Sequence, residues 1–407
     1  MKRKGKLLVG DIPLWVIFFL LSIISLIAVY TSIGRTAVSG RGTPSSAFFS
    51  HLLSIIGAYF VLFVTSRLKY KVIAKCTPFF IVLTLGLLIL TWAIGTEGRW
   101  LSLPIIHSFQ PSELAKIVVV MGLAYFFAKN KEKISERSTF FIALIAVLLT
   151  VAFIIFTNLS SAILIAIVGY LMLLFAGVDT KLWIKWGIFL SLAFGAFLAA
   201  SYLWGDTFGG ILHRGNIWGD RIDSWLNHNP DSLTQENMAR MAVASGGAFG
   251  NGIGSTIHGR LMTQAECDFI YSIIIEEVGI VWALFIPILY ISLYFRCIQI
   301  ASQTEGLYGS LCVAGIGTII FVQAFLNMGV AVGALPVTGQ TLPFISHGGS
   351  SYIVMAFGLG IILSVAKYNN QQRAALAKAE AESKEQNDSA QSQKSNLENE
   401  NNLSNAQ

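Results

Sequence analysis

The run QAECDFIYSIIIEEVG, from Gln264 to Gly279, sets an aspartate, Asp268, at the threshold of a long apolar stretch, with a carboxylate pair, Glu276 and Glu277, two turns inside it. Carboxylates in such surroundings are costly and mark functional positions by default. Two environments would give Asp268 opposite chemistry. Partial desolvation at the mouth of a membrane span would raise its pKa toward that of a general base. A place in the first turn of a helix would instead keep it ionised through the macrodipole, as a structural carboxylate. The residue alone leaves both open. For Glu276 and Glu277, pairing with a basic group or polar backbone is expected in preference to a proton relay.

Three further stretches hold residues that could join Asp268. In GRWLSLPIIHSFQPSELAK, Gly98 to Lys116, Pro111 fits a first helical position, Glu113 sits beside the positive helix end, and Lys116 lies one turn on, on the same face. A helix start with an ion pair and a functional intramembrane pair are equally compatible with it. In ASGGAFGNGIGS, Ala244 to Ser255, five glycines would let a backbone approach a ligand or make tight turns, and a shaped loop near a substrate is the favoured reading. It is not a dinucleotide fingerprint, because no strand–helix unit surrounds it. In LPVTGQTLPFISHGGSSY, Leu335 to Tyr352, two prolines and the Gly348–Ser351 run break helical structure at membrane depth. Such backbone is tolerated only inside protein or beside a water-filled cavity. His347 within it reads more simply as a hydrogen-bonded interfacial residue than as a catalyst.

The elements that must carry these residues follow from composition. Of 407 residues, 54% are hydrophobic and 12% charged, with mean hydropathy +0.66; soluble domains carry about 25% charged residues. The fold class is an all-α polytopic membrane protein. With roughly 20 residues per crossing, apolar runs mark ten spans: 12–33, 47–66, 72–94, 113–128, 139–157, 159–177, 182–204, 268–295, 307–331 and 345–366. The first is too long for a signal-peptide core and lacks a cleavage exit, so it is kept as a helix.

Lysines and arginines gather at residues 1–11, at Arg67–Lys75, at Lys129–Arg137, at Lys181–Lys185 and in the tail, all on one side of the ten-span scheme. The positive-inside bias therefore predicts cytoplasmic N- and C-termini. The net charge of +6 is explained by these flanks and needs no nucleic-acid partner. The four cysteines, Cys76, Cys267, Cys297 and Cys312, offer no external disulfide pair and no metal-type spacing. The one large loop, 205–267, falls outside by parity; its tryptophans predict a lid or surface-lying amphipathic helices. The tail, 367–407, predicts at most a short helix followed by disorder.

Three motifs now coincide: FQPSELAK (Phe109–Lys116), ASGGAFGNGIG…DFIYSIIIEEVG (Ala244–Gly279) and GALPVTGQTLPFISHGGSS (Gly333–Ser351). With ten spans and a large loop between the seventh and eighth, the chain resembles the SEDS family of bacterial division and elongation proteins across nearly all of residues 10–367. The resemblance implies a peptidoglycan glycosyltransferase that polymerises lipid II at the outer leaflet and releases undecaprenyl diphosphate. The family's essential aspartate falls on Asp268, which would act as general base on the acceptor hydroxyl, with inversion at the anomeric carbon. Substrate-binding candidates are Arg99, Glu113, Lys116, Arg221, Arg240, Ser346 and Gly348, with Arg221 and Arg240 favoured for the leaving pyrophosphate. No protein metal ligand is assigned, though a divalent cation, Mg or Mn, could assist. Partners implied are a class B penicillin-binding protein transpeptidase and other divisome membrane proteins.

This chain departs from the family pattern LPEAHTDF at Gln264, Glu266 and Cys267, and from ISYGGSS at His347. The doubled Ser350 and Ser351 and the loop lean toward a division-type member over the elongation type. Two other functions fit ten spans: a lipid II flippase, which would place essential charges near the midplane, and a non-catalytic scaffold, which would tolerate an amide at position 268.

Overall fold

In the computed structural model the chain is described over residues 9–32, 44–95, 100, 101, 109–155, 158–208, 221, 225, 234–259, 261, 262 and 265–404. Arg99, Arg260 and the stretches 209–220, 222–224 and 226–233 of the 205–267 loop, where a lid or surface helices were expected, lie outside these residues. A bilayer leaves backbone groups no partner but each other, so the spanning solution is helical. The described residues form twelve α-helices: α1 Ile12–Ser32, α2 Pro44–Arg67, α3 Tyr70–Ile94, α4 Pro111–Lys129, α5 Arg137–Ile155, α6 Leu159–Ala176, α7 Thr180–Phe208, α8 Gln235–Gly246, α9 Ile270–Ala283, α10 Phe285–Ser302, α11 Leu307–Ala331 and α12 Gly349–Ser404. One isolated bridge, Leu101 with Phe109, precedes α4.

Local sequence sets the ends. Pro111 opens α4 at a position that needs no amide donor, with Glu113 in the first turn. The Asn158 side chain accepts the Ser161 amide at 3.1 Å to start α6, and Gly177, at φ +87°, ends it.

Nine of the described helices are long and apolar enough to cross a membrane, and α7 stands in place of the seventh predicted span. This is a multi-pass membrane protein. Two expectations change. The predicted eighth span, 268–295, is not one helix: α9 breaks at Gly279 (φ +82°, ψ +166°), and the crossing is made by α10. The tail expected to be disordered continues α12 to Ser404; its Ala, Glu, Gln and Lys residues are strong helix formers even without apolar surface to bury.

The interior is built on α4, α11 and α12, whose crossing windows are 67%, 67% and 78% buried, whereas α2 and α3 are 28% and 22% buried and face the membrane. Gly315 of α11 lets α4 and α6 close in, since a Cβ there would lie 2.5 Å from Val120 Cγ1 and Met172 Sδ.

One end of the bundle is pinned by polar contacts. Arg296 Nη2 meets Asp11 Oδ2 at 2.7 Å, Ser364 Oγ donates to Leu68 O at 2.6 Å, and Lys367 Nζ donates to Arg67 O at 3.0 Å. This basic end gathers Arg67, Lys69, Lys71 and Lys75. The starts of α4, α9 and α12 and the end of α11 meet at the opposite end.

The break at Gly279 is braced by the glycine cluster. Asn251 N and Gly252 N donate to Glu276 O and Glu277 O at 3.0 and 2.9 Å, while Ile280 N and Val281 N donate to Gly247 O and Ala248 O at 3.0 and 3.2 Å. Cβ atoms on Gly246 and Gly250 would stand 2.2 and 2.3 Å from Ile275 O and Glu277 O. The cluster read from sequence as a ligand-shaped loop thus replaces the hydrogen bonds that the broken helix gives up.

Gly279→Ala places a Cβ 2.4 Å from Ala248 O in a left-handed conformation, and is expected to cost at least about 1–2 kcal/mol. Thermal unfolding of the detergent-solubilised protein should shift to lower temperature. Unchanged melting would mean that the break is not braced in this way.

Candidate functional site at the mouth of α9

Asp268 lies two residues before α9, half-buried. Its carbonyl accepts Asn327 Nδ2 at 2.9 Å, and the same amide donates to Gln340 O at 2.7 Å. One buried side chain of α11 therefore ties the aspartate's backbone to the segment 332–348. That segment carries the exposed Gly339, at φ +65°, where a Cβ would stand 3.8 Å from Asp268 Oδ2. The carboxylate thus borders the exposed backbone of Gly339.

Below this lies a buried ion pair. Lys116 Nζ meets Glu113 Oε1 at 2.7 Å and donates to Gln323 Oε1 at 2.7 Å and Gln340 Oε1 at 3.3 Å. Three ammonium donors find three acceptors, as burial of such a group demands. Gln340 Nε2 donates to Ser161 Oγ at 3.2 Å, Gln323 Nε2 to Thr341 O at 2.9 Å, and Ser351 Oγ to Glu113 Oε2 at 3.0 Å. Helices α4, α6, α11 and α12 and the segment 332–348 are joined through one charge.

The same segment is latched to Asp268 a second time. Ser346 Oγ donates to Cys267 O at 2.5 Å and accepts Leu342 N at 2.8 Å, Cys267 Sγ donates to His347 O at 3.1 Å, and His347 N donates to Glu266 O at 2.8 Å. The turn this closes holds Phe344 at φ +62°, packed edge-on against Phe18. Burial lowers the His347 pKa against the opposing pull of Glu266, so the ring stays neutral. Burial, with Asp268 and Glu266 nearby, raises the Cys267 thiol and keeps it inert.

The structure places each residue named from the sequence. Glu113 and Lys116 are buried and engaged with each other and the two glutamines, and so position the segment. Ser346 is buried with its hydroxyl used both ways, as a latch. Arg221 Nη1 donates to Val337 O at 3.1 Å, and Gly333 leaves room for Arg240, whose Nε would stand 2.5 Å from a Cβ there. Both arginines grip the far end of the segment that faces Asp268. Gly348 precedes α12, its carbonyl accepting Tyr352 N at 2.9 Å; Arg99 lies outside the described residues.

Sequence reasoning missed Gln323, Asn327, Gln340 and Ser161. Uncharged polar residues in apolar spans, one or two per run, were the available signal. Glu276, fully buried, accepts Thr256 Oγ1, the amides of Ile257 (3.0 Å), His258 (3.1 Å) and Gly259 (3.3 Å), and His258 Nδ1 at 2.8 Å. It is the structural carboxylate that the sequence favoured.

The Cell cycle protein family, that of FtsW, RodA and SpoVE, matches residues 12–371. The chain belongs to this family. It is 30% identical over 355 residues to the probable peptidoglycan glycosyltransferase FtsW of Bacillus subtilis, covering 84% of this chain and 87% of that one. It is 30% identical over 317 residues to the peptidoglycan glycosyltransferase MrdB of Escherichia coli K12, covering 75% and 81%. Among solved structures, Thermus thermophilus RodA superposes with a TM-score of 0.62 at 20% identity, over 88% of this chain and 96% of that one. The structure reported as "Structural coordination of polymerization and crosslinking by a peptidoglycan synthase complex" gives 0.69 at 22% identity, over 89% and 99%. The FtsW/RodA/SpoVE membership and the fold therefore agree.

As for a divalent cation in this family member, the described residues contain no group of three or more His, Cys, Asp or Glu side chains able to hold one. The described residues thus build no metal cage, and no step below passes through a metal.

Lys116→Met alone leaves Glu113 buried without its partner and should destabilise the protein by about 3–5 kcal/mol. Adding Glu113→Gln should restore at least about 1 kcal/mol, read as non-additivity in denaturation of the two single variants and the double. Additive losses would contradict the buried pair.

Proposed function

We propose that the chain is a peptidoglycan glycosyltransferase that polymerises lipid II into glycan strands, with Asp268 as general base. The observation that carries this is the half-exposed Asp268 carboxylate facing bare backbone at Gly339, on the end of the bundle opposite the Arg67–Lys75 cluster. The names of the FtsW and MrdB relatives support the reaction class. In the step, the Asp268 carboxylate takes the proton of the acceptor sugar hydroxyl as its oxygen bonds to the anomeric carbon of the donor. The bond from that carbon to the lipid pyrophosphate breaks, its electron pair leaves with undecaprenyl diphosphate, and the centre inverts. Arg221 and Arg240, at the far end of the facing segment, are placed to counter the charge that develops on the leaving group.

The basic end lies in the cytoplasm, as do both termini, and the Asp268 end faces outward, where lipid II is consumed. The site is at the septum, with a class B penicillin-binding protein transpeptidase and other divisome membrane proteins as partners. The peptidoglycan synthase complex among the structural neighbours supports a crosslinking partner of that kind. A divalent cation, Mg or Mn, would be held by the substrate pyrophosphate and not by a protein cage.

Asp268→Asn removes the base while keeping the side chain's size. Glycan-strand formation from labelled lipid II by the purified protein with its transpeptidase should fall by about 10²–10⁴-fold, with an unchanged gel-filtration profile. Equal polymer from both proteins would remove Asp268 from the reaction. No polymer from either would turn the reading toward a flippase or a scaffold.

A further inference from the structure

Helices α3 and α5 both pack on α4 with little or no contact between themselves. They leave between them a slot of about 540 Å³, walled by Ile81, Leu85, Val119, Leu123, Phe126 and Ala146, that runs along α4 from Ala115 to Lys129 and Asn130. Fifteen residues at ~1.5 Å rise make it about 22 Å long, so its mean cross-section is about 25 Å². Its length and apolar walls suit a hydrocarbon chain.

Its two ends differ. The wall near Ala115 and Leu88 is apolar, with Thr84 and Thr150 as the hydroxyl-bearing residues there. Its mouth carries Lys129, exposed, which forms no ion pair among the described residues. Lys131, Lys133 and Arg137 follow against Glu132 and Glu136, and Ser138 Oγ donates to Glu136 Oε2 at 3.1 Å. Four cations against two carboxylates leave this mouth positive. Because α4 begins at the Asp268 end, the mouth opens at the basic end, away from the site described above.

We propose that this slot is a binding site for one anionic phospholipid of the leaflet at the basic end, an acyl chain lying along α4 and the phosphate headgroup at Lys129. Basic pockets between spans on that side favour anionic headgroups. The occupant enters from the leaflet opposite to Asp268, so the site is separate from the transferase reaction and does not depend on that assignment. It fastens α3 and α5 to the face of α4 opposite to its buried polar residues.

The test uses the full-length protein in detergent, stripped of lipid and titrated with phosphatidylglycerol, phosphatidylcholine or a polyprenyl phosphate, with bound lipid counted by native mass spectrometry. Wild type should retain one phosphatidylglycerol at concentrations where phosphatidylcholine is lost. Lys129→Glu, at an exposed position, should abolish that preference, and Ala146→Trp, which fills the slot from its exposed wall, should abolish retention. A photoactivatable acyl chain on phosphatidylglycerol should label residues 81–88, 115–126 and 142–150, a readout that needs no variant. Equal retention of phosphatidylglycerol and phosphatidylcholine, labelling elsewhere, or retention of the polyprenyl phosphate in place of phosphatidylglycerol would each overturn the proposal.

Discussion

An ammonium buried inside a membrane bundle must find three acceptors, and Lys116 finds them on three different elements: Glu113 of its own helix, Gln323 of α11 and Gln340 of the segment 332–348. Glu113 is in reach on the same helix, but the two glutamines reach Lys116 only when the bundle has closed. The requirement fixes a segment that has no regular backbone bonding of its own over most of its length. From there the constraint passes outward through Asn327, which binds Gln340 O and Asp268 O with one amide. A single desolvated charge thus sets the position of the Asp268 backbone. Ion pairs of this kind add little net stability once desolvation is counted, but removing one partner is costly; here the pair serves geometry.

The second constraint is the break in α9. A helix interrupted within the bundle exposes amides and carbonyls that lipid cannot satisfy, and the loop 246–252 supplies the missing partners backbone to backbone. Side chains at Gly246 or Gly250 would prevent the approach. Glu276, just before the break, collects the amides of 257–259 and orders the loop that leads back to Asp268. The carboxylates of the opening motif are therefore divided: Asp268 half-exposed at the mouth of α9, Glu276 buried and ordering the loop.

Much of this was legible in the sequence, and the failures have physical causes. Hydropathy found every spanning run because apolar length is what a bilayer selects. It could not see the break at Gly279, since a glycine at positive φ is as apolar as one in a helix; only the adjoining glycine cluster hinted that backbone would be needed nearby. The spacing of Glu113 and Lys116 showed a pair, yet not that it was buried. Gln323, Asn327 and Gln340 escaped because an uncharged polar residue is informative only once its partners, 13–224 residues away, are known. The contact of Arg221 to Val337 depends on a fold that charge alone does not reveal.

The central claim is that Lys116 holds the segment facing Asp268, and backbone hydrogen–deuterium exchange across 337–348 tests it most directly. In Lys116→Met, amides such as Leu342 and His347, which bond to Ser346 Oγ and Glu266 O, should lose at least about tenfold in protection while those within α1 and α10 keep theirs. Unchanged protection across 337–348 would contradict the account, because the segment would then be held by something other than the buried charge.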